Sequence, residues 1–170
     1  GTWIYDKWTE PTYPVLRLNF LNFDKNSIEK FNNKLNSKIT EFAELNHVTT
    51  FKEKKEAEDS IDHLLEQLRL EGRQIVILID EYDCQMTANI NKETLYKQFQ
   101  EKITSFYANL KDKLAIKFLG ITGVTRLKDV AIFSVGSDIR DITNASAYSQ
   151  MIGFTRDEIK KYCYERDRVK

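Results

Sequence analysis

One stretch decides the fold: a run of five apolar residues that passes directly into acidic ones, Ile75-Val76-Ile77-Leu78-Ile79-Asp80-Glu81-Tyr82-Asp83. Four of the five apolar residues are β-branched and none alternates with a polar residue. This pattern is typical of a parallel strand that is covered on both faces. Ligands of open α/β folds lie at the carboxyl ends of such strands, so the acidic segment is the strongest candidate for a site.

The segments on either side of this strand alternate between strands and helices. Upstream, the apolar alternation of residues 15–20 predicts a strand, and two amphipathic runs predict helices from Asn26 to Asn46 and from about Glu53 to Glu71. Asn26 and Glu29 are spaced as a capping box. Downstream, helical spacing over 91–110 precedes a second buried-strand candidate, residues 114–121. The order predicts an α/β fold, a mostly parallel sheet covered by helices in a three-layer sandwich.

The last part of the sequence predicts a short extended segment at 131–135 and a further helix. Thr155 and Glu158 are spaced as a capping box, and Phe154 with Ile159 as a hydrophobic staple. We therefore expect an α/β core over residues 1–153 and the start of a following helical segment over residues 154–170.

Composition excludes several classes of protein. The 170 residues suffice for one domain, and 26 basic residues balance 26 acidic ones, so no net field attracts nucleic acid. Two cysteines are too few for a disulfide scaffold. No apolar run approaches the roughly 18 residues of a membrane span, and no secretory signal begins the sequence. We expect a cytoplasmic protein without nucleic-acid or membrane partners.

Asp80 and Glu81 have the chemistry of a nucleotide site. A carboxylate at a buried strand end can hold Mg²⁺, and an adjacent carboxylate can orient and deprotonate an attacking water. This is the Walker B pattern. The alternative is a strand that simply finishes in solvated acidic residues. For Asp83, a turn or cap before the next helix is favoured over a third metal ligand.

The second buried-strand candidate also ends in polar residues. If the two strands are neighbours, the Thr122 hydroxyl lies beside Asp80 and can bond a γ-phosphate or the attacking water. Arg126 can stabilise charge on a transferring phosphoryl group. The alternatives are that Thr122 and Thr125 cap turns around the nearby glycines and that Arg126 is a solvated loop residue.

An ordered series of segments resembles the predicted AAA-ATPase-like family of bacterial P-loop proteins. The series comprises residues 76–83, 118–126, 132–134, Asp141-Ile142, Tyr148 and 153–158. The resemblance implies a P-loop NTPase core of the ASCE type that uses ATP and Mg²⁺. It further implies that Asp80 is the Mg²⁺-associated carboxylate, Glu81 the water-activating base and Thr122 the sensor-1 residue.

The sequence departs from that family in one respect: it contains no G-x-x-x-x-G-K-[ST] motif. Without that loop, neither the amides that cradle the phosphates nor the lysine that reaches them is present. We expect that the chain starts after the phosphate loop and its central strand. Two expectations follow, namely poor ATP hydrolysis by these 170 residues alone and self-association through unpaired sheet edges.

Other kinds of site are poorly supported by the sequence. His47, His63, Cys84 and Cys163 have no metal-ligand spacing. An Asp…Glu-x-Lys nuclease site could be formed by Asp138 and Asp141 with Glu158-Ile159-Lys160. It would need Glu158 and Lys160 on a strand, whereas the capping box predicts a helix start at Glu158. Two hypotheses remain: half of an ATP·Mg²⁺ site, and a degenerate, non-catalytic P-loop-like scaffold for protein–protein contact.

Overall fold

The computed structural model of the chain describes residues 7–125, 139–148 and 155–161. Three strands and five α-helices lie in these ranges: β1 (Val15–Asn19), α1 (Ile28–Leu45), α2 (Ala57–Leu70), β2 (Ile75–Asp80), α3 (Cys84–Ala88), α4 (Glu93–Ala108), β3 (Ile116–Ile121) and α5 (Arg156–Ile159). Two short 3₁₀ turns, Phe20–Asn22 and Ser146–Tyr148, accompany them.

The three strands form one parallel sheet in the order β1-β2-β3. Asn19 is paired with Asp80 between β1 and β2, and Ile79 with Ile121 between β2 and β3. The register between β2 and β3 shifts once, between Ile75 and Val76. The predicted α/β fold with a parallel sheet and surrounding helices is confirmed.

The two faces of the sheet differ in burial. On one face, Ile75, Ile77 and Ile79 are at most 1% exposed, and they are buried together with the apolar stripes of α1, α2 and α4, which pack on one another. On the other face, Val15 is 46% and Phe118 57% exposed. The expectation of a central strand covered on both faces therefore holds on one face, whereas Val76 and Leu78 on the other are half-buried.

The first helix begins one residue later than its sequence pattern predicts. Ser27, not Asn26, is the N-cap, and its hydroxyl accepts the Lys30 N–H at 3.2 Å. The Asp24 carboxylate accepts the N–H groups of Asn26 and Ser27, each at 2.7 Å. The predicted capping box of Asn26 and Glu29 is wrong because Asp24 already binds the amide of Asn26.

The second helix begins at Ala57 rather than near Glu53, because polar side chains hold the preceding segment outside the helix. The Asn36 side chain donates to the Lys54 carbonyl at 3.0 Å, and the Asn32 side chain to the Lys55 carbonyl at 2.9 Å. The Ser60 hydroxyl accepts the Lys54 N–H at 2.8 Å. These contacts occupy backbone groups that a longer helix would use.

Backbone contacts divide the chain into two compact units, residues 1–138 and 139–170. In the second unit α5 begins with the predicted capping box: Thr155 accepts the Glu158 N–H, and the Glu158 side chain accepts the Thr155 N–H. The predicted segment at 131–135 and Phe154 lie outside the described residues. The division at residue 153 stays a prediction.

Candidate functional site

Asn19, Asp80 and Thr122 lie in a row at the carboxyl ends of the three strands. The Thr122 hydroxyl donates to Oδ1 of Asp80, and the Asn19 side-chain amide lies 3.5 Å from Oδ2 of the same carboxylate. Because β2 and β3 are neighbours, the structure brings together the threonine and the aspartate singled out from the sequence. Asn19 was not foreseen, since its place opposite Asp80 depends on the register of β1.

The backbone keeps Thr122 at this position beyond the end of β3. Its N–H donates to the Ile79 carbonyl at 2.9 Å, and its own carbonyl accepts the Tyr82 N–H at 3.1 Å. Both bonds continue the pairing of β2 and β3. The amide and the carbonyl of Thr122 are therefore bound to Ile79 and to Tyr82, on either side of Asp80 in the chain.

Glu81 is the residue at which the chain turns away from the sheet. Its φ is +57°, in the left-handed region that costs a side-chain-bearing residue about 1–2 kcal/mol. Its carbonyl accepts the Cys84 N–H at 3.0 Å. Within the described part of the chain, its half-buried carboxylate makes no hydrogen bond or ion pair. Strained residues of this kind concentrate at functional sites.

Asp83 is buried, with 2% of its surface exposed. It occupies the N-cap position of α3, as the predicted turn requires, yet it makes no side-chain cap to that helix. Its carboxylate instead accepts the N–H groups of Val124 at 3.2 Å and Thr125 at 2.6 Å. The main role of its side chain is thus to bind the segment that follows β3.

Tyr82 also binds the segment that follows β3, and its ring packs against Gly123 in that segment. The Tyr82 hydroxyl donates to the Thr125 carbonyl at 2.9 Å. A Cβ at Gly123 would collide with the Tyr82 ring and with Oδ1 of Asp83. Sequence reasoning missed these contacts because their partners are about 40 positions apart; the one signal was the glycine directly after Thr122.

The hydroxyl of Tyr107 is buried near Tyr82 and Asp83. Tyr107, on α4, is fully buried, and no donor or acceptor of the described residues bonds its hydroxyl. Burial raises the pKa of the Tyr107 phenol well above its usual range, and the neighbouring Tyr82 and Asp83 raise it further. The phenol is therefore a neutral group at neutral pH.

Of the remaining candidates, neither histidine joins the site. Arg126 lies outside the described residues. His63 packs against Phe51 and accepts the Lys52 N–H at Nδ1, at 3.3 Å, and His47 follows the end of α1. In residues 7–125, 139–148 and 155–161, no group of three or more His, Cys, Asp or Glu side chains is arranged to hold a metal.

Two oxygen-bearing groups at the strand ends are of the ligand types that Mg²⁺ prefers, namely the exposed Asp80 carboxylate and the Thr122 hydroxyl. Asn19 turns its side-chain amide nitrogen toward Asp80, because its Oδ1 accepts the Leu21 N–H at 3.0 Å. The carboxylate and hydroxyl fit one side of a six-coordinate cation, which commonly takes its other ligands from water and substrate phosphates.

A family model described as Predicted AAA-ATPase matches residues 1–133. The chain belongs to this predicted AAA-ATPase family. The match covers all three strands and both residues of the Asp80–Thr122 contact.

A relative of this family member occurs in Azotobacter chroococcum mcd 1, where it is named "Uncharacterized protein in vnfD 5'region". The two sequences are 25% identical over 164 residues, which is 94% of this chain and 31% of the relative. The chain thus spans about a third of the length of that relative. No solved structure matches the chain. None of the helices in the described ranges has both the length and the apolar character needed to cross a membrane.

Proposed function

We propose that the chain supplies the acidic and threonine half of an ATP·Mg²⁺ site in an AAA-ATPase-like protein. The observation that carries the proposal is the hydrogen bond from Thr122 to Asp80 across two adjacent parallel strands. Family membership supports it, since the family is described as a predicted AAA-ATPase. The bound ion, when present, neutralises charge on the transferring phosphoryl group.

Each residue has a chemical task in this proposal. Asp80 holds Mg²⁺ as the Walker B carboxylate, directly or through water. Glu81, whose carboxylate has no described partner, accepts a proton from the attacking water. Thr122 has a rotatable hydroxyl that can donate to a γ-phosphate oxygen as a sensor-1 residue. Arg126 stays in the proposal as a charge-stabilising residue, on the sequence argument alone.

The phosphate cradle is not part of these 170 residues, which contain no G-x-x-x-x-G-K-[ST] motif. We therefore expect the chain by itself to release phosphate from ATP·Mg²⁺ no faster than buffer. Robust turnover that Asp80→Ala abolishes would contradict the half-site. A longer form of the protein that carries such a loop should bind ATP·Mg²⁺ in calorimetry, with turnover lost in Glu81→Gln.

The half-site can be tested on the chain itself with Mn²⁺, which replaces Mg²⁺ and is visible by electron paramagnetic resonance. Asp80→Asn should remove the tightest Mn²⁺ site, and Thr122→Val should weaken it about tenfold, as loss of a ligand-orienting group does elsewhere. Asp59→Asn, an exposed carboxylate on α2, is the matched control and should change nothing. Equal Mn²⁺ binding by wild type and Asp80→Asn would favour the non-catalytic interaction scaffold.

Two further features of the proposal concern partners and location. We propose self-association through sheet edges, because β1 and β3 each pair on one side only among the described strands and β3 exposes Phe118. Light scattering should show a species larger than 20 kDa; a stable monomer of 20.0 kDa would contradict it. We also place the protein in the cytoplasm, where ATP is available.

A further inference from the structure

Asp83 joins the end of β2 to the segment after β3. Its Oδ1 accepts the Val124 N–H at 3.2 Å, and its Oδ2 accepts the Thr125 N–H at 2.6 Å and the Thr87 hydroxyl of α3 at 3.4 Å. The residue is 2% exposed, so water does not compete freely for these bonds. Hydrogen bonds to a charged acceptor are stronger than those between neutral groups.

Tyr82 adds two hydrogen bonds to the same segment. Its backbone N–H donates to the Thr122 carbonyl at 3.1 Å, and its hydroxyl donates to the Thr125 carbonyl at 2.9 Å. The ring lies against Gly123, where a Cβ would collide with it. Residues 122 and 125 are thus both bound to Tyr82, and the glycine between them fits against its ring.

We infer that Tyr82 and Asp83 are positioning residues that hold segment 122–125 so that the Thr122 hydroxyl stays on Asp80. The Thr122 side chain has three staggered χ1 rotamers, and a fixed backbone at 122–125 selects the one that meets the carboxylate. Neither residue touches Asp80 in any described hydrogen bond. Both act through the backbone of the segment.

The inference deepens the proposed function and rests on it, since the positioned contact is the Asp80–Thr122 half-site. It assigns a role to the last two residues of the Asp80-Glu81-Tyr82-Asp83 segment. Asp80, which would hold the cation, and Tyr82 and Asp83, which orient the Thr122 hydroxyl, therefore lie within four consecutive positions of the chain. A turn or a helix cap alone would not need Asp83 to be buried against residues 124 and 125.

The experiment measures the rotamer of Thr122 and the affinity for Mn²⁺ in the same proteins. Three-bond couplings of the Thr122 methyl carbon to its own backbone carbonyl carbon and nitrogen report whether χ1 is fixed. The variants are Asp83→Ala, Asp83→Asn and Tyr82→Phe. The matched control is Asp24→Ala, which also removes a carboxylate that accepts two backbone N–H groups, those of Asn26 and Ser27.

Wild type and Asp24→Ala should show one χ1 rotamer, and Asp83→Ala should show averaged couplings with a Kd for Mn²⁺ about tenfold higher. Asp83→Asn keeps one acceptor oxygen and should recover part of both effects. Tyr82→Phe removes the hydroxyl that donates to the Thr125 carbonyl and keeps the ring, so it serves if Asp83→Ala fails to fold, and it should also average the couplings. Circular dichroism checks that each variant is folded.

Unchanged Thr122 couplings in folded Asp83→Ala or Tyr82→Phe would overturn the inference, as would equal averaging in Asp24→Ala. Failure of the proposed function looks different. Mn²⁺ binding that does not depend on Asp80 in otherwise wild-type protein would refute the half-site, while the couplings would still decide whether Tyr82 and Asp83 position Thr122.

Discussion

Gly123 is required by the two side chains that lie over it. A Cβ at this position would collide with the ring of Tyr82 and with Oδ1 of Asp83, and both residues are at least 95% buried. We expect Gly123→Ala to lower the free energy of unfolding by about 1–3 kcal/mol, as overpacking of a filled site does. Urea denaturation monitored by circular dichroism measures the change.

Gly120→Ala is the matched control for that substitution. Its Cβ would lie 3.0 Å from Cε1 of Phe118 and 3.1 Å from Cδ2 of Leu78, and the Phe118 side chain is exposed and can move. A small effect on the free energy of unfolding, below about 1 kcal/mol, is expected. Equal losses in the free energy of unfolding for the two substitutions would show that the packing of Tyr82 and Asp83 against Gly123 does not cause the effect.

His47 occupies a backbone conformation that suits glycine. Its φ is +56°, and the Val48 N–H donates to the Ala43 carbonyl at 2.9 Å, closing the end of α1 in a Schellman arrangement. The equivalent position after α2 is Gly72, with φ +67°. We expect His47→Gly to raise the free energy of unfolding by about 0.5 kcal/mol.

His47→Ala is the control, since alanine keeps the strained backbone and loses only the exposed imidazole. Its melting temperature in calorimetry should not exceed that of the wild type. A stabilising His47→Ala would mean that the side chain, and not the backbone conformation, is unfavourable at this position.

At the scale of elements, Lys102 joins α4 to the start of α2. Its ammonium lies 2.7 Å from Glu56 and 2.6 Å from Glu58, and its side chain is only 7% exposed. The bond from Lys102 is the main cause that lowers the pKa of the Glu56 carboxyl. The two acids begin α2, where negative charge is also favoured by the helix dipole.

Removal of the Lys102 ammonium would leave the carboxylates of Glu56 and Glu58 without the cation that they share. We expect Lys102→Met to lower the free energy of unfolding by about 2 kcal/mol, below the usual loss for a broken buried pair because Glu56 is partly in solvent. Chemical denaturation tests this. Adding Glu58→Gln should restore part of the loss, and no recovery would argue against charge as its cause.

At the scale of the whole molecule, His63 makes stability depend on pH. Burial, with Lys54 and Lys52 nearby, lowers the pKa of His63 below 6.5, against a smaller opposing effect of Asp62. Its Nδ1 accepts the Lys52 N–H, which requires an unprotonated nitrogen. The unfolded chain therefore binds the proton first, and stability falls as pH drops from 6.5 towards the folded pKa.

Denaturation midpoints measured between pH 7.5 and pH 5.5 test this dependence. The wild type should lose stability over that interval more steeply than His63→Gln, in which the titrating group is absent. Parallel curves for the two proteins would show that His63 does not titrate differently in the folded and unfolded chain.

The sequence by itself determined the elements and the strand-end chemistry. The apolar run before Asp80 predicts a strand, and apolar residues three and four positions apart predict the helices α1, α2 and α4. Each pattern lies within one segment, so it can be recognised without the tertiary structure. The acidic pair and Thr122 could be found in the same way, because each directly follows a predicted strand. Boundaries such as Ser27 and Ala57 could not, since distant or competing side chains set them.

Only the tertiary structure decided what surrounds Asp80. The strand order places Thr122 and Asn19 on either side of it, and register is a property of paired strands that no single segment contains. The contacts of Tyr82 and Asp83 with residues 123–125 span about 40 positions, so spacing could not predict them. Local patterns fix where the chain turns polar, whereas the relative placement of those polar ends depends on packing between distant segments.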